Sequence, residues 1–196
     1  MQFPDSGWET EFINLRINKC KHMDIKIRKM ELKDVDAVCI MEEEAFSMPW
    51  HKESFIDMIS NRDALYLVAE IKSADENDVT GPDSSTGDEA ENDGKADTGV
   101  TVCGCAGLIS VLGEGSICNI VVKSEFRRLG IGRRLVQSMI EQGRSGYGIK
   151  DFTLEVRKSN SAAIGLYEDL GFVCEGIRPG FYDKPKEDAC IYWLRS

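Results

Sequence analysis

Residues 119–134 read Asn-Ile-Val-Val-Lys-Ser-Glu-Phe-Arg-Arg-Leu-Gly-Ile-Gly-Arg-Arg, an apolar strand that runs through a short turn into a helix. That is the layout of an anion site. Gly130 and Gly132 remove side chains where backbone must approach a ligand. The first N–H groups of the helix lack internal partners, and the helix dipole adds positive potential. Arg127, Arg128, Arg133 and Arg134 add cationic charge suited to phosphate. A Walker loop is excluded because no GxxxxGK is present, and a dinucleotide fingerprint fails because its third glycine position is Leu135. The plain alternative is a glycine-containing helix start with a solvated basic face.

Downstream, Asp-Phe-Thr-Leu-Glu-Val-Arg at 151–157 alternates as a strand. Phe152, Leu154 and Val156 share one face, and Thr153, Glu155 and Arg157 share the other. Glu155 thus projects from a well-anchored strand, where partial burial suits a general base. The bland reading is an ion pair with Arg157 or another arginine. Asn160 is a good N-cap for the helix that follows, which closes at Gly171 with Phe172 placed for a Schellman contact. Tyr167 lies two turns after Asn160 and can look along the same face. A phenol there suits proton donation to a leaving group, although tyrosine at helical spacing is commonly core.

Working outward, the spacing predicts helices over 32–45, 51–61 and 130–142, the last ended by Gly143. Strands are predicted over 64–71, 101–111, 115–123, 172–178 and 189–195, giving an α+β pattern. Glu42, Glu43 and Glu44 read as a solvated helix face. Cys103 and Cys105 read as packing residues on one strand face, and His51 as a residue near a helix start. Residues 72–99 hold nine acidic side chains against Lys72 and Lys95, so most of the net charge of −10 is local. This tract is too polar to repay the entropy of ordering, and it reads as a hairpin-loop insert within one domain spanning 23–196. Residues 1–22 show weak periodicity and are expected outside the fold.

The whole chain, 196 residues with 42% apolar side chains, is one ordinary globular domain's worth of sequence. A nearly neutral body disfavours nucleic acid as a partner. The seven cysteines contain no CxxC and have only His22 and His51 to join them, so they read as reduced, without a metal site. No apolar run is long enough for a membrane span, and the charged first 23 residues do not form a secretory signal, so the expected compartment is the cytoplasm.

In this order the motifs resemble the GNAT superfamily, and within it the RimI-type ribosomal-protein-alanine N-acetyltransferases. The resemblance rests on NIVVKSEFRRLGIGRRL, LEVRKSNSAAIGLYEDLGF, the tail RPGFYDKPKEDACIYWL and the segment AFSMPW. It implies a mixed, mostly antiparallel sheet of about seven strands flanked by about four helices, and acetyl-CoA as co-substrate. It implies that Ile120, Val121 and Val122 offer main-chain groups to the acetyl and pantetheine arm. Arg128, Leu129, Gly130, Ile131, Gly132 and Arg133 would wrap the pyrophosphate, and Asn160 would contact the cofactor. Glu155 would be the general base and Tyr167 the general acid of direct transfer to an N-terminal alanine of small-subunit ribosomal protein eighteen. Phe46, Trp50, Phe181 and Tyr182 would border the peptide, although Phe181 lacks the hydroxyl a tyrosine would bring there. A monomer is expected. The competing readings are a lysine or small-amine acetyltransferase, and a catalytically silent acyl-CoA-binding module.

Overall fold

The structure is a computed structural model that describes residues 24–72 and 99–196. The expectations for 1–22 and for the interior of the acidic tract lie outside the described residues. Seven strands form one sheet, in the order β1 (Ile25–Lys29), β2 (Ala64–Lys72), β3 (Val100–Val111), β4 (Glu114–Val122), β5 (Asp151–Arg157), β7 (Lys186–Leu194) and β6 (Val173–Asp183). Among the described strands only β4 and β5 run parallel. Helices α1 (Val35–Ala45) and α2 (Lys52–Ser60) cover one face, while α3 (Ile131–Tyr147) and α4 (Ser161–Asp169) cover the other. This is the α+β arrangement expected. Lys72 faces Val100 across the β2–β3 pair, so the acidic tract joins neighbouring strands of one sheet. No helix among the described residues is long and apolar enough to cross a membrane.

Each face has its own core. On the α3 side, Ile131, Leu135, Val136 and Met139 pack on Phe152, Leu154 and Val156, as the period-3.6 stripe and the period-2 strand require. On the α1 side, Val35, Val38, Met41 and Phe55 pack on Tyr66, Val68, Cys105 and Val121. Burying these side chains contributes roughly 1.5–3 kcal/mol each before conformational entropy is counted.

Local readings change in three places. Gly143 does not end α3, which continues to Tyr147 and stops at Gly148, φ +64°. Gly143 is instead a packing requirement, because a Cβ there would meet the Phe152 ring at 2.9 Å. Cys103 and Cys105 are both buried but on opposite faces, since a bulge between Ala69 and Glu70 skips Cys103 in the ladder and reverses the phase. The final hairpin extends to Asp183 and Lys186, with Pro179 and Gly180 absorbed into a register shift between Arg178 and Tyr182. At α4 the expectation holds. The Asn160 side chain accepts from the Ala163 N–H at 3.2 Å, Gly171 adopts φ +89°, and the Phe172 N–H closes on the Tyr167 carbonyl.

Candidate active site

Strands β4 and β5 pair from Glu114 and Asp151 to Ile117 and Leu154, and the described ladder ends there. Beyond that point β4 keeps only β3, and β5 keeps only β7. A bulge at Cys118, where Asn119 faces Gly107 but Ile117 faces Leu108, turns β4 away. The result is a cleft through the sheet, whose facing backbone edges carry main-chain groups that the β4–β5 ladder does not pair. Ile120, Val121 and Val122 lie along its β4 edge. The bulge also reverses side-chain phase, so that Ile120 and Val122 pack toward α3 while Asn119 and Val121 turn toward α1.

Glu155 projects from the opposite edge, on the α1 side, as its alternation with buried Leu154 and Val156 predicts. Its side chain is 30% exposed, and Arg178 sits 3.5 Å from its carboxylate. Arg157, the other partner considered, is engaged elsewhere: it donates to the carbonyls of Lys184 and Pro185, pairs with Glu187 at 3.3 Å and stacks on Tyr182. Tyr182 donates its hydroxyl to the main-chain carbonyl of Glu155 at 3.3 Å. The aromatic pair therefore does bring a phenol to Glu155, through Tyr182, while Phe181 stays exposed beneath Arg178.

Tyr167 occupies the other side of the sheet, buried against Phe172 with 5.9 Å between ring centroids. Burial, and secondarily Tyr182, pushes its phenol well above the ordinary tyrosine value, so it keeps its proton near neutral pH. Cys118 at the bulge is likewise held as a thiol, burial raising it to about 11. Glu155 and Tyr167 thus lie on opposite sides of the sheet. Asn160 lies at the α4 N-terminus with its carboxamide oxygen committed to the cap.

The turn before α3 has the anion-site form. Arg128 and Gly130 both take positive φ, +67° and +76°. The first intrahelical bond belongs to the Arg134 N–H, so those of Ile131, Gly132 and Arg133 precede the ladder. Arg128 is exposed. Arg133 pairs with Asp169, Arg134 donates to the Ile25 carbonyl, and Arg127 donates to the Val122 carbonyl. The glycines differ. Gly130 is required by its φ, whereas a Cβ at Gly132 would make only ordinary contact with Leu166 at 3.5 Å. Leu129 packs on the α3-side core.

On the α1 side, loop 46–51 joins α1 to α2. Phe46 is exposed, while Trp50 turns inward on Phe55 and Tyr66. The Ser47 hydroxyl donates to the Lys184 carbonyl and ties this loop to the β6–β7 turn. The solvated reading of Glu42 is corrected here: Glu42 is 1% exposed and accepts from Asn119 Nδ2 at 3.0 Å. Burial raises its carboxyl, against the hydrogen bonds from Asn119 and the Trp50 main chain. Helical spacing carried the signal, because position 42 is four residues after Val38 and three before Ala45, on the buried stripe. Among the described residues no cluster of three or more His, Cys, Asp or Glu is arranged to hold a metal.

Residues 35–172 match the model of the acetyltransferase (GNAT) family. The chain is 31% identical over 170 residues to the ribosomal protein bS18-alanine N-acetyltransferase of Escherichia coli K12, covering 86% of this chain and 95% of that one. It is 28% identical over 152 residues to an N-alpha-acetyltransferase of Sulfurisphaera tokodaii, covering 78% and 82%. The crystal structure of the ribosomal-protein-S18-alanine N-acetyltransferase from Escherichia coli superposes with a TM-score of 0.65 at 28% identity, covering 88% of this chain and 94% of that chain.

Proposed function

The chain belongs to the GNAT acetyltransferase family, and from that premise we propose that it acetylates protein N-termini, by direct transfer from acetyl-CoA to the α-amine of an N-terminal alanine. The favoured acceptor is small-subunit ribosomal protein eighteen, the substrate named for the Escherichia coli relative. The observation that carries the mechanism is the cleft beyond Ile117 and Leu154, with Glu155 on one side of the sheet and Tyr167 on the other.

The residues fit the co-substrate. The left-handed turn at Arg128 and Gly130 and the free N–H groups of the α3 N-terminus suit a pyrophosphate, with Leu129, Ile131, Gly132 and Arg133 completing the wrap. Ile120, Val121 and Val122 offer main-chain groups along the cleft, and Asn160 borders it from α4. Acetyl-CoA, when bound, supplies an activated thioester. Glu155 takes the proton that the acceptor amine must lose. Arg178 reaches its carboxylate only at 3.5 Å and so holds it loosely. The β4 N–H groups hold the carbonyl oxygen as charge builds on it. Tyr167, kept protonated by burial, gives its proton to the departing thiolate. The raised Cys118 supports transfer without an enzyme-bound acetyl group. An α-amine, with pKa about 7.7–8.0, asks less of the base than lysine at about 10.4. Phe46, Trp50, Phe181 and Tyr182 border the acceptor path.

The test is thiol release from acetyl-CoA with a short peptide bearing a free N-terminal alanine, beside a peptide with a blocked α-amine and a free lysine. Turnover with the first alone is expected. Turnover with the lysine peptide alone would overturn the acceptor assignment. Turnover with neither, despite acetyl-CoA binding, would redirect the search to small amines and then to a silent binding module.

A further inference from the structure

Glu42 sits on α1 with no role in the proton transfers above, yet three parts of the molecule converge on it. Its carboxylate accepts from Asn119 Nδ2 on β4, one residue past the bulge, and takes a main-chain hydrogen bond from Trp50 in loop 46–51. Tyr66 completes the group. In register, Tyr66 of β2 faces Gly107 of β3, which faces Asn119 of β4. The Tyr66 ring lies across Gly107 so closely that a Cβ there would fall 2.2 Å from Cζ. The phenol therefore extends over β3 toward the Glu42–Asn119 pair.

This group is an expensive way to fill a core. The Tyr66 hydroxyl and Asn119 Oδ1 are buried without a hydrogen-bond partner among the described residues, and Glu42 accepts only from neutral groups. Each unsatisfied buried polar atom costs free energy that apolar side chains of similar volume would avoid. Hydrogen bonds provide what apolar packing does not, a fixed direction. Here they fix loop 46–51, anchored at Trp50, to the β4 edge of the cleft. The far end of the same loop holds the β6–β7 turn through Ser47 and Lys184.

Resting on the N-terminal acetyltransferase reading, we propose that Glu42 is a positioning residue. It joins the acceptor-side loop 46–51 to strand β4 through Trp50 and Asn119, and thereby sets affinity for the acceptor peptide independently of acetyl-CoA.

The experiment compares wild type with Glu42→Leu, Glu42→Gln and Asn119→Leu. It measures KM for the alanine peptide, KM for acetyl-CoA, and amide hydrogen exchange over residues 46–51. Glu42→Leu and Asn119→Leu are expected to raise the peptide KM about tenfold while the acetyl-CoA KM stays within about twofold. Glu42→Gln restores both bonds once the Asn119 amide reverses, its carbonyl accepting from Trp50 and its amide donating to Asn119 Oδ1. Its peptide KM is therefore expected within about threefold of wild type. Faster exchange over 46–51 in Glu42→Leu but not in Glu42→Gln is expected whichever amine is acetylated. Unchanged exchange in Glu42→Leu, equal rises in both KM values, or loss of turnover in Glu42→Gln would each overturn the joint. Failure of wild type to acetylate the peptide, with exchange behaving as expected, would overturn the acceptor assignment and leave the joint standing.

Discussion

Between Glu114 and Ile117, β4 lies in regular parallel register against β5, and Ile117, Phe152 and Leu154 are buried beneath α3. From Cys118 and Glu155 onward the same two strands part, and their α1-side residues are Asn119, Val121, Glu155 and Arg157. The closed half follows ordinary core chemistry: Gly143 makes room for the Phe152 ring, and the side chains fill the space. The open half tolerates a bulge, a buried carboxyl and two polar atoms without a partner among the described residues. One pair of strands thus separates a packed core from the proposed catalytic edge over a few residues, with polar groups held where packing alone would remove them.

The comparison breaks most decisively at Glu155 and Tyr167. Glu155→Gln and Tyr167→Phe are each expected to lower kcat by about 10²–10⁴-fold, with acetyl-CoA binding by calorimetry and the thermal midpoint both near wild type. Unchanged turnover in both would strip the open half of its catalytic role. In the closed half the pattern reverses. Phe152→Ala is expected to cost about 3–5 kcal/mol in urea unfolding, while the folded fraction keeps its turnover at low temperature. A large kcat loss without destabilisation there would erase the distinction.

The smallest effect is in pH, and it has opposite signs at two buried acids. Asp34, on the α1-side layer, is pushed up by burial, but bonds from Arg28 at 2.6 and 2.8 Å and from the Glu31 N–H leave it below the ordinary range. A folded value below the unfolded one adds stability that is complete above about pH 3.9 and is lost as pH falls further. Glu42 is raised by burial, so its contribution is complete below about pH 4.3 and is lost as pH rises through its folded value. The titratable neighbours Tyr66 and Cys105 are both raised by burial and stay neutral over that span. The thermal midpoint of Glu42→Gln relative to wild type is therefore expected to climb from pH 4 to pH 7. A flat difference would remove Glu42 from the set of buried acids that take up a proton on folding.

The sequence by itself determined the α+β class, the strand–turn–helix at Gly130, the alternation that faces Glu155 away from Leu154, and the Asn160 cap with its Gly171 stop. Each of these is local: periodicity, a left-handed glycine or a capping side chain acts within a few residues of itself. Tertiary structure alone decided the rest. Helical spacing put Glu42 on the buried stripe of α1, but its partner Asn119 came from β4, and Gly143 became a packing residue because Phe152 lies over it. The opposite facing of Cys103 and Cys105, and the parting of β4 from β5, both came from bulges. A bulge is fixed by what the neighbouring strand can pair with, and that partner lies far away in the chain.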